Sequence, residues 1–236
     1  MSDKPFRFKQ FSVFHDKCTL KVNTDAVLLG AYADVEKSKR ILDIGTGSGV
    51  IALMLAQRSG AIIDAVEIDP DSAKQAGANF LNSPWNSRLK VYCASFRDFF
   101  SSCHIKYHII VSNPPFFCNS LKSPFPDKSL AKHNNNLTFE ELLAGAIKLL
   151  HEDGYFYVIL PFIETRIFRE KAKAEGLFLI RELLIHPKQD KPVNRVISCF
   201  GLIRKEVCTG QINLRTGNGL YSEEYKKLSC DYFLDF

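Results

Sequence analysis

Ser112-Asn113-Pro114-Pro115-Phe116 is the stretch whose residue types point most directly to chemistry. Proline at 114 keeps Asn113 out of the helical region, and the second proline stiffens the chain that follows. A rigid, extended segment of this kind can present the Asn113 side-chain oxygen and the Pro114 carbonyl side by side. Both are acceptors, and an exocyclic NH2 group offers two donors. Such an amine is a poor nucleophile, because its lone pair is delocalised into the ring that carries it. Two acceptors aimed at its hydrogens favour a pyramidal nitrogen, whose lone pair can attack a methyl group held in line at about 3–3.5 Å. The Phe116 ring offers a face on which an extruded base could stack. Asn113 and Pro114 are therefore the candidate catalytic residues, and Phe116 a candidate substrate contact. Neither a metal nor a strong general base is needed, since the amine sheds its proton readily once methylated.

A second constellation lies upstream, at Asp43-Ile44-Gly45-Thr46-Gly47-Ser48-Gly49. Glycines let a backbone turn sharply and approach a ligand where a Cβ would collide. The third glycine comes one place earlier than in the dinucleotide fingerprint. Asp43 would repel a phosphate and favour a cationic ligand. Glu67 closes the next apolar run, 22 positions after Gly45, and suits two ribose hydroxyls. Asp69 and Asp71 read as caps of the following helix. Taken singly, these are an ordinary tight turn and a solvated strand end. In this order and spacing they select a nucleoside-type ligand, which leaves a methyltransferase or a dehydrogenase. Asp43 and the early glycine favour the sulfonium cofactor, S-adenosylmethionine.

Positioning these groups requires a particular set of elements. Strand-like runs at 40–45, 62–68, 89–94, 108–112 and 155–160 alternate with helical patterns at 49–57, 70–81, 138–150 and 164–175. Pro70 suits a first helical turn, and Thr138 with Glu141 forms a capping box. Two further strands, 177–186 and 196–203, follow with no helix between them. Strand–helix alternation implies right-handed crossovers and a parallel sheet covered on both faces. The expected fold is α/β, a Rossmann-like doubly wound and mostly parallel sheet of seven strands with an antiparallel hairpin at one edge. A single domain of 236 residues is expected, with a core over 40–204, an N-terminal arm over 1–39 and a C-terminal tail over 205–236. Aromatics in both appendages predict that they pack against the core.

Composition narrows the classes further. Hydrophobic residues make up 46% and charged residues 24%, values that predict a packed core rather than disorder. No run approaches a membrane span, and residues 1–10 lack the apolar core of a leader peptide. Seven scattered cysteines without a CxxC or histidine cluster fit reduced thiols in a cytoplasmic protein without a metal centre. A net charge of +5 permits a polyanionic partner without demanding one.

The glycine loop, Glu67 and Asn-Pro-Pro-Phe together resemble the class I S-adenosylmethionine methyltransferases of amino groups. Further segments are similar to the bacterial valine-tRNA adenine-N6 methyltransferases over nearly the whole chain. They are Phe14-His15-Asp16, Lys21 to Ala31 with its Thr24-Asp25-Ala26-Val27-Leu28-Leu29-Gly30 core, Leu81 to Trp85, Ala131-Lys132-His133, Phe139 to Leu142, Pro192 to Arg195 and Tyr221 to Tyr225. The resemblance implies methylation of adenine 37 in a valine tRNA. It implies that Asp43, Gly45, Thr46, Gly47 and Gly49 cradle the methionine part of the cofactor. Glu67 would hold the ribose and Ile68 line the adenine, while Lys21, Thr24 and Asp25 close the pocket. Where the family often carries Asp after the third strand, this chain has Ser95-Phe96, whose serine hydroxyl can still meet the adenine amine. Asn113 to Phe116 would hold the target base, with Asn113 also touching the cofactor. The expected RNA contacts are Lys122, Lys128, Lys132 and His133 after the motif, Lys188, Lys191 and Arg195 in the late hairpin, and Arg7 and Lys9 among Phe6, Phe8 and Phe11. Asp16 and His133 are not expected to be catalytic, and a monomer is assumed. From the residues alone, a ribosomal-RNA base or a protein glutamine amide remains an alternative acceptor. A non-catalytic RNA-binding factor on the same scaffold would have no need of Asp43, Glu67 and Asn113 together.

Overall fold

A computed structural model describes residues 4–18, 20–115 and 137–236. Phe116, Lys122, Lys128, Lys132 and His133 lie outside the described residues. The arm opens with a short antiparallel pair, β1 (Phe6–Arg7) and β2 (Ser12–Val13), and continues into α1 (Thr24–Tyr32). The core then alternates through β3 (Arg40–Ile44), α2 (Val50–Arg58), β4 (Ile62–Glu67), α3 (Pro70–Leu81), β5 (Leu89–Cys93), α4 (Phe96–Ser102), β6 (Tyr107–Ser112), α5 (Phe139–Leu149), β7 (Leu150–Pro161) and α6 (Phe162–Ala174). It ends with β8 (Phe178–His186), β9 (Arg195–Gly201), β10 (Cys208–Asn213) and α7 (Glu223–Ser229).

The sheet order is β10-β8-β9-β7-β6-β3-β4-β5, with β9 antiparallel between β7 and β8 and every other pairing parallel. The mostly parallel α/β class is as expected. The strand count is corrected from seven to eight, and the β8–β9 hairpin is not at the edge, because β10 pairs with β8 outside it. Strand β10 reads Cys208-Thr209-Gly210-Gln211-Ile212-Asn213 and buries only Ile212, so its sequence carries no apolar run. Three helices also went unread, among them α7, which Ser222 caps by accepting from the Tyr225 amide. Asn23 caps α1 by accepting from the Ala26 amide, and Ser95 caps α4 by accepting from the Asp98 amide. All three caps are ordinary start signals that precede short helices. The Thr138–Glu141 capping box and Pro70 in the first turn of α3 stand as expected.

Residues Val50 to Ala56 of α2 are all buried, because α1 and the tail cover the side of α2 that faces away from the sheet. The Tyr232 hydroxyl donates to the Met54 carbonyl at 3.1 Å. Lys9 donates through Nζ to the carbonyls of Cys230 (2.6 Å) and Phe236 (3.0 Å), tying arm to tail. Phe8 stacks on Phe11 at 4.5 Å between ring centres, and Phe6 and Phe8 both meet Phe233. This corrects the expectation that Lys9 with Phe6, Phe8 and Phe11 faces RNA: these side chains hold the two ends of the chain together. Among the described residues, no helix is long and apolar enough to cross a membrane.

Candidate active site

The sheet register fixes where the chemistry can occur. Ile44 pairs with Val66 on one side and Ser112 on the other, and Glu67 pairs with Cys93. Gly45, Ile68, Ala94 and Asn113 therefore leave the sheet side by side, at the carboxyl edge where ligands bind in such folds. The Ser112 hydroxyl donates to the Ile44 carbonyl at 3.0 Å and locks the start of the Asn113 motif to the start of the glycine loop. Asn113 is half-buried and Pro114 buried.

The glycine loop turns back on itself through the amides of Gly45 and Thr46, which donate to the Val66 carbonyl at 2.9 and 3.1 Å. Gly45, Gly47 and Gly49 all have positive φ, at 70°, 55° and 81°. Their surroundings differ. A Cβ at Gly49 would lie 2.5 Å from Cε1 of Phe80, whereas one at Gly45 or Gly47 would meet nothing within 4 Å. The third glycine is demanded by helix packing, and the first two line open space at the strand tips. Gly49→Ala is accordingly expected to cost about 2–4 kcal/mol, combining a left-handed alanine with an overpacked ring. Gly47→Ala bears only the left-handed cost of about 1–2 kcal/mol. Equal losses in thermal unfolding would refute this division of roles.

Asp43 is fully buried at the tip of β3, where its Oδ2 accepts from the Thr46 hydroxyl at 2.6 Å. Its Oδ1 is buried with no hydrogen-bond partner. Burial pushes its carboxyl up to about 7; the Thr46 hydroxyl and the Ala52 amide oppose the rise, and the Glu67 charge adds to it. An orphaned carboxylate oxygen beside an open glycine cradle fits a ligand with a positive group. Glu67 accepts from the Gly47 amide through Oε2 (2.8 Å) and from the Asp69 amide through Oε1 (2.9 Å). A carboxylate has about four acceptor sites, so Glu67 fixes the loop and keeps capacity for ribose hydroxyls. Ile68, the next residue, is 41% exposed, an apolar side chain open beside that carboxylate. Asp69 caps α3, as its position implied.

Two residues that sequence reasoning passed over hold the arm against this loop. Asn79 accepts from the Phe14 amide (3.0 Å) and donates to the carbonyls of Phe14 and Ser48, both at 2.8 Å. Gln75, one turn earlier, donates to Asp16 at 2.6 Å and accepts from the Lys17 amide at 3.0 Å. The sequence shows only two amides four apart on α3, and it is the fold that buries both and gives them their partners. The Gln75 hydrogen bond holds the Asp16 carboxyl below its ordinary value.

Lys21 and Thr24 are exposed where the arm enters α1. Asp25 pairs with Arg195 at 2.9 Å, so an expected cofactor-side residue meets an expected RNA-side one. Arg195 sits opposite Pro161 at the carboxyl end of β7, on the same edge as Asn113. Ser95 caps α4, and its hydroxyl donates to Asp98 at 2.7 Å. The Phe96 ring is buried in the core against Gly145 of α5, which leaves a first-turn backbone amide for any ligand at this tip.

The methyltransferase small domain matches residues 18–163, a span that holds the glycine loop, Glu67 and Asn113. A Bacteroides fragilis protein named tRNA1(Val) (adenine(37)-N6)-methyltransferase is 45% identical over 99% of both chains. Proteins of the same name from Parabacteroides distasonis (41%, 99% of both) and Yersinia enterocolitica (39%, 98% of this chain and 93% of that one) are also similar. The chain belongs to the tRNA1(Val) (adenine(37)-N6)-methyltransferase family. Members of this family match it end to end, so the arm and tail belong to the pattern as fully as the core. A predicted O-methyltransferase from Agrobacterium tumefaciens shares the fold, with a TM-score of 0.65 at 18% identity over 88% of this chain and 96% of that one. P. horikoshii TYW2, solved in complex with MeSAdo, shares it with a TM-score of 0.55 at 15% identity, over 80% of this chain and 67% of that one.

Proposed function

We propose that this enzyme transfers a methyl group from S-adenosylmethionine to the N6 amine of adenine 37 in a valine tRNA. The observation that carries the reading is the Ile44–Ser112 register, which sets the Asn113 acceptors beside the glycine cradle and the orphaned oxygen of Asp43. Asp43, Gly45, Thr46, Gly47 and Gly49 would hold the amino-acid end of the cofactor, with Glu67 on its ribose and Ile68 against its adenine. Ser95 and the Phe96 amide would meet the far edge of that adenine, and Lys21, Thr24 and Asp25 would close the pocket from the arm. Bound there, S-adenosylmethionine supplies a methyl carbon made electrophilic by its sulfonium.

The chain does the rest by position and charge. Asn113 Oδ1 and the Pro114 carbonyl accept the two N6 hydrogens of the target, and so withdraw the nitrogen lone pair from the ring. After transfer the methylated amine is strongly acidic, and one N6 proton passes from these acceptors to solvent water. Phe116 would stack on the extruded base, and Lys132, His133 and Arg195 would hold the RNA around it.

The relatives' names, and cysteines that are free throughout the described residues, support a cytoplasmic enzyme. Incubation with labelled S-adenosylmethionine and unmodified bulk tRNA is expected to yield N6-methyladenosine at position 37 of valine tRNA on nucleoside analysis. Label found in protein, with the tRNA unmodified, would overturn the reading in favour of an amide acceptor.

A further inference from the structure

The outer strands of the sheet stand higher than the tip of β6. Ser112 is level with Val158, Val158 with Ser198, Ser198 with Glu182 and Glu182 with Thr209. From that level β7 runs on to Pro161, β8 to His186 and β10 to Asn213. At about 3.3 Å per residue this builds a wall some 10–13 Å above the floor at Asn113. Four strand spacings separate β6 from β10, about 19 Å across.

Two loops form the top of the wall, 187–194 after β8 and 214–222 after β10. They are joined as one body: the Leu214 amide donates to the His186 carbonyl (2.9 Å), the Gln189 amide to the Arg215 carbonyl (2.8 Å), and the Gly217 amide to the Gln189 side chain (3.2 Å). Residues 215–221 make a miniature hairpin, with Arg215 bridged to Tyr221 and the Thr216 amide donating to the Leu220 carbonyl at 2.9 Å. The Arg215 guanidinium lies over the Tyr221 ring at 4.2 Å and donates to the Gly219 carbonyl at 2.7 Å. Tyr221 is itself braced by Tyr225 and Phe236, each with ring centres 5.2 Å away.

Arg215 is therefore exposed yet held in place, with most of its five N–H donors uncommitted. Among the described residues, no carboxylate pairs with Arg215, Lys188 or Lys191. Asp190 is the one acid between 187 and 195, and Glu223, beyond the hairpin, is paired with Lys226. A solvated lysine needs no partner, but a fixed, stacked arginine on the active edge is arranged for a planar, multidentate anion.

We propose that Arg215, held on the Tyr221 ring, joins Lys188 and Lys191 as a phosphate-binding platform for the RNA arm that carries the target base. The proposal rests on the reading of the chain as an RNA methyltransferase. The platform is too far from Asn113 to touch the target nucleotide, and its distance fits backbone several nucleotides away. Arg215 reads no base here; it supplies grip and orientation. Tyr221 is a positioning residue that keeps the guanidinium fork from being spent on conformational freedom.

The test measures tRNA affinity and steady-state kinetics over a salt series for the wild type, Arg215→Glu, and Arg215→Glu combined with Lys188→Glu and Lys191→Glu. The combined variant is expected to raise KM for tRNA tenfold or more, with kcat lowered less than threefold. Its log affinity against log salt should flatten by about two to three, near 0.9 for each lost contact to duplex phosphate. Tyr221→Phe should keep the wild-type slope and Tyr221→Leu should lose part of it, with circular dichroism checking that α7 persists. S-adenosylmethionine affinity should not move. A wild-type slope and KM in the combined variant, measured on tRNA that the wild type does methylate, would overturn the platform alone. A wild type that methylates no tRNA would overturn the function, and the platform with it.

Discussion

Asn113→Ala is expected to lower turnover by about a hundred- to a thousandfold, the range seen when one preorganised polar contact to a transition state is lost. S-adenosylmethionine affinity should stay within about threefold, because most of the residues proposed to hold the cofactor lie on the arm and at other strand tips. The prediction follows from geometry that leaves little choice of role. The Ser112 hydroxyl pins β6 to the Ile44 carbonyl, so the residue after it must leave the sheet next to Gly45. Proline then removes the option of a helical turn, and Asn113 has only an extended conformation in which to display its amide. Alanine keeps that backbone and deletes the side-chain acceptor. Asn113→Asp retains an acceptor oxygen and should recover a measurable part of the rate, which a purely structural role would not grant. Single-turnover methylation of tRNA under saturating cofactor separates the outcomes. An alanine variant within a few fold of wild type would sink the acceptor role, and one that no longer binds cofactor would move Asn113 into that pocket instead.

Much of this site was legible in the chain because each part has a strong local signature. A short strand-like run that ends in Asp43-Ile44, a Gly-x-Gly-x-Gly turn and a carboxylate at the end of the next run leave few topologies in which all three can work. The proline pair after β6 is equally local. What stayed hidden depends on tertiary context. Strand β10 is polar and edge-lying, held by pairing with β8 rather than by burial of its own side chains. Helices α1, α4 and α7 have caps that sequence shows, but runs of nine, seven and seven residues are too short to establish a period. Lys9 shows the converse error. Alternation of aromatic and basic residues reads as a nucleic-acid face, yet the same pattern serves a buried aromatic cluster whose one ammonium caps two carbonyls of the tail. Gln75 and Asn79 were silent because a buried amide is told from a surface amide only by what it meets.

Asp43→Asn is expected to make the apo-enzyme more stable above pH 7 while it weakens S-adenosylmethionine binding. In the folded chain burial raises the Asp43 carboxyl to about 7, against an ordinary value near 4. The folded state therefore holds this proton more tightly than the unfolded state does. Its contribution to stability is fully present below about pH 4 and is lost as pH rises through 7, where it amounts to a burden on the order of 4 kcal/mol. Asparagine carries no charge to bury and keeps an oxygen for the Thr46 hydroxyl, so most of that burden disappears at high pH. The same substitution removes the charge that a sulfonium or ammonium would meet at the unpartnered Oδ1. In the wild type, a cationic ligand must find the carboxylate, so its affinity should rise with pH by up to tenfold per unit below 7 and level off above. In the variant that component of the profile should be flat. Thermal unfolding of the apo-protein from pH 5.5 to 8.5, paired with calorimetric titration of S-adenosylmethionine over the same range, tests both halves. An asparagine variant with the wild-type slope of affinity against pH would take the titration away from Asp43. A variant less stable than wild type at pH 8 would show that the carboxylate supports the loop it is buried in, leaving the stability of the apo-enzyme and its hold on the cofactor aligned rather than opposed.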